Sequence, residues 1–169
     1  MPNPPLTPLR KRLADIDRAV SHAPTTRQLS IAVHAILKLL DQVAYACASR
    51  YASRYVVTLS VDRVLFLQAI HVGELVTFLA SVNYTGKSSM EIGIKVIAEN
   101  IRSQEVRHVN SCFFTMVAVD DNRKAAPVPQ LHPKTPDEVR RFEAAQMRKA
   151  LRQELEEKFR KTTRQPGAA

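Results

Sequence analysis

The sequence predicts an α+β fold in which an antiparallel sheet wraps around a central helix, with a charged helix following at the C-terminus. Two observations carry this. Residues 31–51 contain neither Gly nor Pro and are apolar around most of a helical circumference, the mark of a buried helix. Behind them, residues 55–67, 75–84, 90–98 and 106–119 alternate apolar with polar residues or are rich in β-branched ones, the mark of strands.

Residues 1–28 are Pro-rich at first, then polar and basic. They are expected to form a flexible basic segment, with a short helix around Leu9–Val20 as its one fixed feature. In the central helix, Ile36, Leu37, Leu39, Leu40, Val43, Ala44, Ala46, Cys47 and Ala48 leave one narrow polar stripe. That stripe is His34, Lys38, Asp41, Gln42, Tyr45 and Ser49, three or four residues apart. Along 75–84 the alternation puts Val76, Phe78, Ala80, Val82 and Tyr84 on one face. Along 90–98 it does the same for Met90, Ile92, Ile94, Val96 and Ala98. The links carry turn residues (Gly73, Gly86-Lys87 and Asn100–Gln104) and are short, so neighbouring strands are antiparallel. After a stretch spaced by Pro127, Pro129, Pro133 and Pro136, a charged helix runs from about Asp137 to Lys161. Thr135 is its N-cap, Pro136 its first residue, and Glu138, three residues after Thr135, completes a capping box. The predicted divisions are 1–28, a flexible N-terminal segment; 29–130, the helix-and-sheet domain; and 131–169, a C-terminal helix and tail. A sheet curled around one helix, burying it on all sides, is the hotdog arrangement.

The 169 residues fit one domain plus tails, long enough to bury a core without metal or disulfides. Cys47 and Cys112 lie far apart and in no CxxC pattern, which fits a reducing compartment and implies no zinc site or other cofactor. No apolar run spans a membrane and the N-terminus lacks a signal-peptide core, so a cytoplasmic location is expected. The net charge of +9 sits largely in the two ends, where its simplest meaning is solubility. Basic residues are not interleaved with aromatics and there is no Trp, so a nucleic-acid stacking platform is not indicated.

Several short stretches, in order, carry a resemblance. They are Ile36-Leu37-Lys38-Leu39-Leu40-Asp41, Val56–Asp62, Phe66-Leu67, Val72-Gly73-Glu74, Gly86-Lys87-Ser88-Ser89-Met90 and Val117–Asp120. Together, over residues 36–129, the sequence resembles the acyl-CoA thioester hydrolases of the hotdog superfamily, of the YciA and brain acyl-CoA hydrolase type. It departs from them before Ile36. Thr26 and Leu29 stand where the family has an Asn and a Gly, and Val33 and His34 stand where it has a Gly pair. The family's first strand has no evident counterpart, and Ala69 replaces its usual Pro.

The resemblance implies hydrolysis of fatty acyl-CoA by a homodimer or trimer of dimers. Asp41 would activate water or attack the thioester, in a partly buried setting that tunes its pKa. Spacing alone favours a surface pair of Asp41 with Lys38 one turn away, and it is the resemblance that turns the reading toward catalysis. Oxyanion donors would come from backbone N–H groups at the start of the helix, near Val33 and His34. The resemblance places CoA on the turn Gly86, Lys87, Ser88 and Ser89, which by itself also reads as a plain hairpin turn. Arg54, Arg63 and Arg107 are lesser candidates for the CoA phosphates. The competing expectation, favoured by the missing Gly pair, is a catalytically impaired hotdog protein that binds acyl-CoA without hydrolysis.

Overall fold

The central helix extends further than its apolar residues require. The computed structural model describes residues 9–12, 26–62 and 64–163, and in it α1 spans Thr26–Ala52, starting five residues ahead of the expected Ile31. It closes on Ser53, whose φ of 51° is the left-handed conformation that stops a helix. The strands are β1 (Leu9–Arg12), β2 (Tyr55–Val61), β3 (Leu65–Phe66), β4 (Leu75–Thr85), β5 (Ser89–Glu99) and β6 (Val106–Val119). Their order in the sheet is β1-β4-β5-β6-β2, with β3 also on β6, and every pairing is antiparallel.

Two N-terminal expectations are corrected. Leu9–Arg12 is a strand on β4, pairing Leu9 with Phe78 and Arg12 with Leu75, where a short helix was expected. The same strand supplies the first strand that the sequence did not reveal. Four residues of mostly basic character carry too little alternation to signal a strand, and it is the free edge of β4 that recruits them. The remainder of the expected helix, residues 13–20, lies outside the described residues.

Most of the core lies between one face of α1 and the sheet. Ile36, Leu40, Val43, Ala44 and Ala48 recur at helical spacing and are buried. They face β2, β4, β5 and β6, whose buried residues include Val76, Phe78, Ile92, Ile94, Phe114 and Met116. Each large side chain so buried contributes about 1.5–3 kcal/mol, and Ala44 and Ala48 let the sheet approach closely. The helix is not buried all round, however: Leu37 is 37% and Tyr45 is 42% exposed. In the single chain, the side of α1 carrying the polar stripe stays open.

Three one-residue insertions bend the strands. The register shifts at Leu59 in β2, at Asn83 in β4 and at Val109 in β6. The insertion at Asn83 reverses the expected facing of Tyr84, which pairs with Glu91 on the outer face while Val82 pairs with Ile92 on the core face. The Asn83 side chain lies over Gly93, where a Cβ would come within 2.3 Å of its Nδ2, and that nitrogen donates to Glu91 Oε1 at 3.4 Å. The predicted continuous strand 55–67 is split into β2 and β3, and Arg63, in the break, lies outside the described residues.

The chain divides into two compact units, Met1–Gln130 and Leu131–Ala169. The second unit is built on α2 (Pro136–Thr163). Its capping box forms as expected: Glu138 N–H donates to Thr135 Oγ1 at 3.2 Å, and Thr135 N–H donates to Glu138 Oε2 at 3.1 Å. Exposed ion pairs along the helix, such as Lys158 with Glu154 at 2.7 Å, add little individually.

Candidate active site

Asp41 is held by the edge of the sheet. Along β2, Val56 and Thr58 point to the core face, because they pair with Ala118 and Met116. Thr58 Oγ1 therefore meets α1, and it donates a hydrogen bond to Asp41 Oδ1 at 2.8 Å. Its other neighbour is Met116 Sδ, at 3.5 Å. The carboxylate's partner is thus across the helix–sheet boundary and is not Lys38 one turn back. Asp41 and Thr58 are both exposed, which corrects the expected partial burial of Asp41. The physical reason is that β2 is the outer strand of the sheet and covers only one side of the carboxylate. Thr58 lies within the Val56–Asp62 stretch, where nothing in its residue type marks it as functional. Its signal was the alternation that puts it on the same face as Val56.

The Gly86–Ser89 turn lies near this pair. Thr58, Met116 and Met90 form one row across three adjacent strands, so Met90 is about 10 Å from Thr58, and the turn precedes it. All four carbonyls of the turn are engaged. Gly86 O accepts from Gln130 Nε2 (3.0 Å) and Lys87 O from the Val128 N–H (3.0 Å). Ser88 O accepts from the Ala118 N–H (2.9 Å) and Ser89 O from the Gly86 N–H (2.8 Å). What the turn offers a ligand is therefore its side chains: the exposed Lys87 ammonium, which donates only, and the half-buried Ser88 and Ser89 hydroxyls, which donate and accept. Arg54, also exposed, stands at the start of β2, at the same end of the sheet.

Other candidates are not brought together with these. Arg107 is at the opposite end of β6, pairing in register with Ala98. Its guanidinium is committed to Glu74, Gln68 Oε1 and Ala69 O, which tie down the loop before β4. Burial works to raise the Glu74 pKa. The His71 N–H bond and the Arg107 ion pair outweigh it and hold the carboxyl below its usual 4.5. The helix start also differs from expectation. With α1 beginning at Thr26, the N–H groups of Val33 and His34 lie beyond its first turn and bond within the helix. They are therefore not open oxyanion donors.

Neither thiol is suited to act as a nucleophile. Burial, slightly opposed by Arg50, pushes Cys47 up to about 11, and burial pushes Cys112 up to about 12. Among the described residues there is no cluster of His, Cys, Asp or Glu that could hold a metal ion, and no helix long and apolar enough to cross a membrane.

A family model described as the thioesterase superfamily matches residues 35–104. Protein VdlD of Helicobacter pylori is 52% identical over 131 residues, 76% of this chain and 75% of that protein. A crystal structure of a hexameric acyl-CoA thioesterase is 31% identical and superposes with a TM-score of 0.76 over 88% of this chain and 90% of that one. The chain belongs to the acyl-CoA thioesterase family. The thioesterase fold is accordingly the hotdog, as the order of helix and strands predicted. An acyl-CoA hydrolase of Staphylococcus aureus, solved with butyryl coenzyme A, coenzyme A and coenzyme A disulfide, is 28% identical. It superposes on this thioesterase with a TM-score of 0.67 over 78% of this chain and 82% of its own. That enzyme has also been solved with an aspartate and with a threonine replaced by alanine, the two positions being seventeen apart in its chain.

Proposed function

We propose that the protein hydrolyses fatty acyl-CoA to the free acid and CoA, with Asp41 activating water or attacking the thioester carbonyl and Thr58 orienting its carboxylate. The observation that carries this is the 2.8 Å bond from Thr58 Oγ1 to Asp41 Oδ1. A thioester needs little activation, so one positioned carboxylate beside a grip on CoA makes a working site. The hydroxyl proton fixes one carboxylate oxygen and leaves the other to take a proton from water. As the new C–O bond forms, the C–S bond breaks and the CoA thiolate departs and is protonated. The spacing supports the reading: Asp41 and Thr58 are seventeen residues apart, as are the aspartate and threonine replaced in the S. aureus hydrolase.

Gly86, Lys87, Ser88 and Ser89, with Arg54 and Arg63, are proposed to hold CoA. The Lys87 ammonium beside the two hydroxyls favours an anionic or carbonyl-rich ligand there. The assembly is proposed to be a homodimer or trimer of dimers, through the outer edge of β2. That strand carries exposed Tyr55, Val57, Leu59 and Val61 and has a free row of backbone groups, features that a second copy would cover.

One observation favours the second reading, a protein that binds acyl-CoA without hydrolysis: α1 runs unbroken through Val33 and His34, which closes the expected oxyanion donors. Release of free CoA thiol from acyl-CoAs of graded chain length tests both. Turnover above buffer supports hydrolysis; tight binding with no release of thiol supports the second reading.

A further inference from the structure

Met147, Leu151, Leu155 and Phe159 fall four residues apart along α2 and expose 67%, 63%, 53% and 63% of their surface. Successive members are turned by about 40°, so they form one inclined apolar ridge about 18 Å long. The helix does not need this ridge covered in order to form. Its capping box, the acids Asp137 and Glu138 in its first turn and the bases Arg160 and Lys161 in its last all favour it. At up to about 200 Å² for a fully exposed side chain of this size, the ridge leaves roughly 450 Å² of apolar surface open. A single patch of that order marks an interaction site.

The form of the patch and its charges select the occupant. Rows of residues four apart are the ridges that interlock when two helices cross at about 50°. The charge of α2 changes sign at the middle of the ridge. Arg148, Lys149 and Arg152 come before that point, and Glu154, Glu156 and Glu157 come after it. Lys158, next along, is paired within the helix with Glu154 at 2.7 Å. Two copies of α2 crossing antiparallel there bring the basic stretch of each beside the acidic stretch of the other. A parallel crossing in register would set like charge against like, which costs free energy. Two ridges pressed together take roughly 900 Å² of apolar surface from water. With the flanking side chains this reaches the ~1,000 Å² that a specific interface needs. An anionic lipid surface fits less well, because three glutamates share the same turns of the helix.

We propose that α2 is a self-association surface, whose occupant is the α2 helix of a second copy of this chain, crossed antiparallel about a two-fold axis. Leu151 packs against Leu155 of the partner subunit, and Met147 lies toward Phe159 of the partner subunit. This interface is separate from the β2 edge and does not depend on the reading of Asp41. A chain with both surfaces joins pairs made at one of them through the other.

The test compares the full chain with the double variant Leu151→Glu, Leu155→Glu by light scattering at micromolar concentration. Both positions are exposed in the single chain, so the helix content seen by circular dichroism should be kept. The mass of the assembly should fall by at least half in the variant, and an unchanged mass in a folded variant overturns the proposal. A monomeric unaltered chain overturns it as well. A second measurement does not depend on that variant folding. Chains carrying Leu151→Cys are mixed with size-tagged chains carrying Leu155→Cys and mildly oxidised. Helices in contact bring these positions within disulfide reach, so the unlike pair should predominate. An excess of like pairs, or no disulfide beyond that of the unaltered chains, overturns the antiparallel pairing. Vesicles of anionic phospholipid test the other occupant. Sedimentation of the unaltered chain with them, lost in a double variant of unchanged mass, would give the ridge to lipid and overturn the proposal.

Discussion

Replacing Thr58 by valine removes one hydroxyl and keeps the branched shape that suits a strand. The valine side chain would still pack beside Met116, so the fold should be retained. What is lost is the proton donated to Asp41 Oδ1 at 2.8 Å. Hydrogen bonds to charged groups contribute about 1.5–3 kcal/mol. Both partners are exposed, so water competes and the lower figure applies. About 1.5 kcal/mol corresponds to a roughly tenfold slower reaction. Because the bond orients the reacting carboxylate and touches no part of CoA, the loss should fall on kcat and leave KM nearly unchanged. Steady-state hydrolysis of butyryl-CoA, followed by thiol release, measures both. A kcat equal to that of the unaltered protein would refute the idea that Thr58 positions Asp41. A change confined to KM would move Thr58 into the binding site.

Three further outcomes are expected. Lys87→Glu should raise KM for acyl-CoA several-fold with kcat little altered, since it weakens ground and transition states alike; unchanged KM in a folded variant would remove Lys87 from the site. Glu74→Gln should cost about 2 kcal/mol at neutral pH by breaking the pair with Arg107. The folded-state pKa of Glu74 lies below its usual value, so its contribution is present above 4.5 and is lost as the pH falls through the folded value. Urea unfolding of both forms should therefore converge in acid, and a difference independent of pH would contradict the assigned pair. Light scattering at micromolar concentration should give a dimer or larger, and a monomer would refute the proposed use of the β2 edge.

The long elements were legible because their periods are uninterrupted. Met90, Ile92, Ile94, Val96 and Ala98 alternate without a break, and all five are buried as that pattern requires. Val106–Val119 has the predicted bounds. Single-residue insertions leave no trace in composition, so the bulge at Asn83 and the turned-out Tyr84 could not be read. β1 was invisible because four residues cannot establish a period, and a neighbouring strand edge decided their conformation. At the site, Asp41 stood out as an acid in a mostly apolar helix, whereas its partner Thr58 is a common residue in a common strand. Only register and the facing of α1 reveal that the two meet. Arg107 shows the converse: an arginine suggests a phosphate, but Glu74, more than thirty residues away, had already claimed it.

Hydrolysis is expected to depend on the Asp41 carboxylate. Asp41→Asn preserves size and the capacity to accept from Thr58, and removes the charge and basicity. Thiol release from acyl-CoA should fall by about two or more orders of magnitude. Acyl-CoA binding and folding, measured by calorimetry and urea unfolding, should change little. Full hydrolytic activity in a folded Asp41→Asn protein would contradict the mechanism.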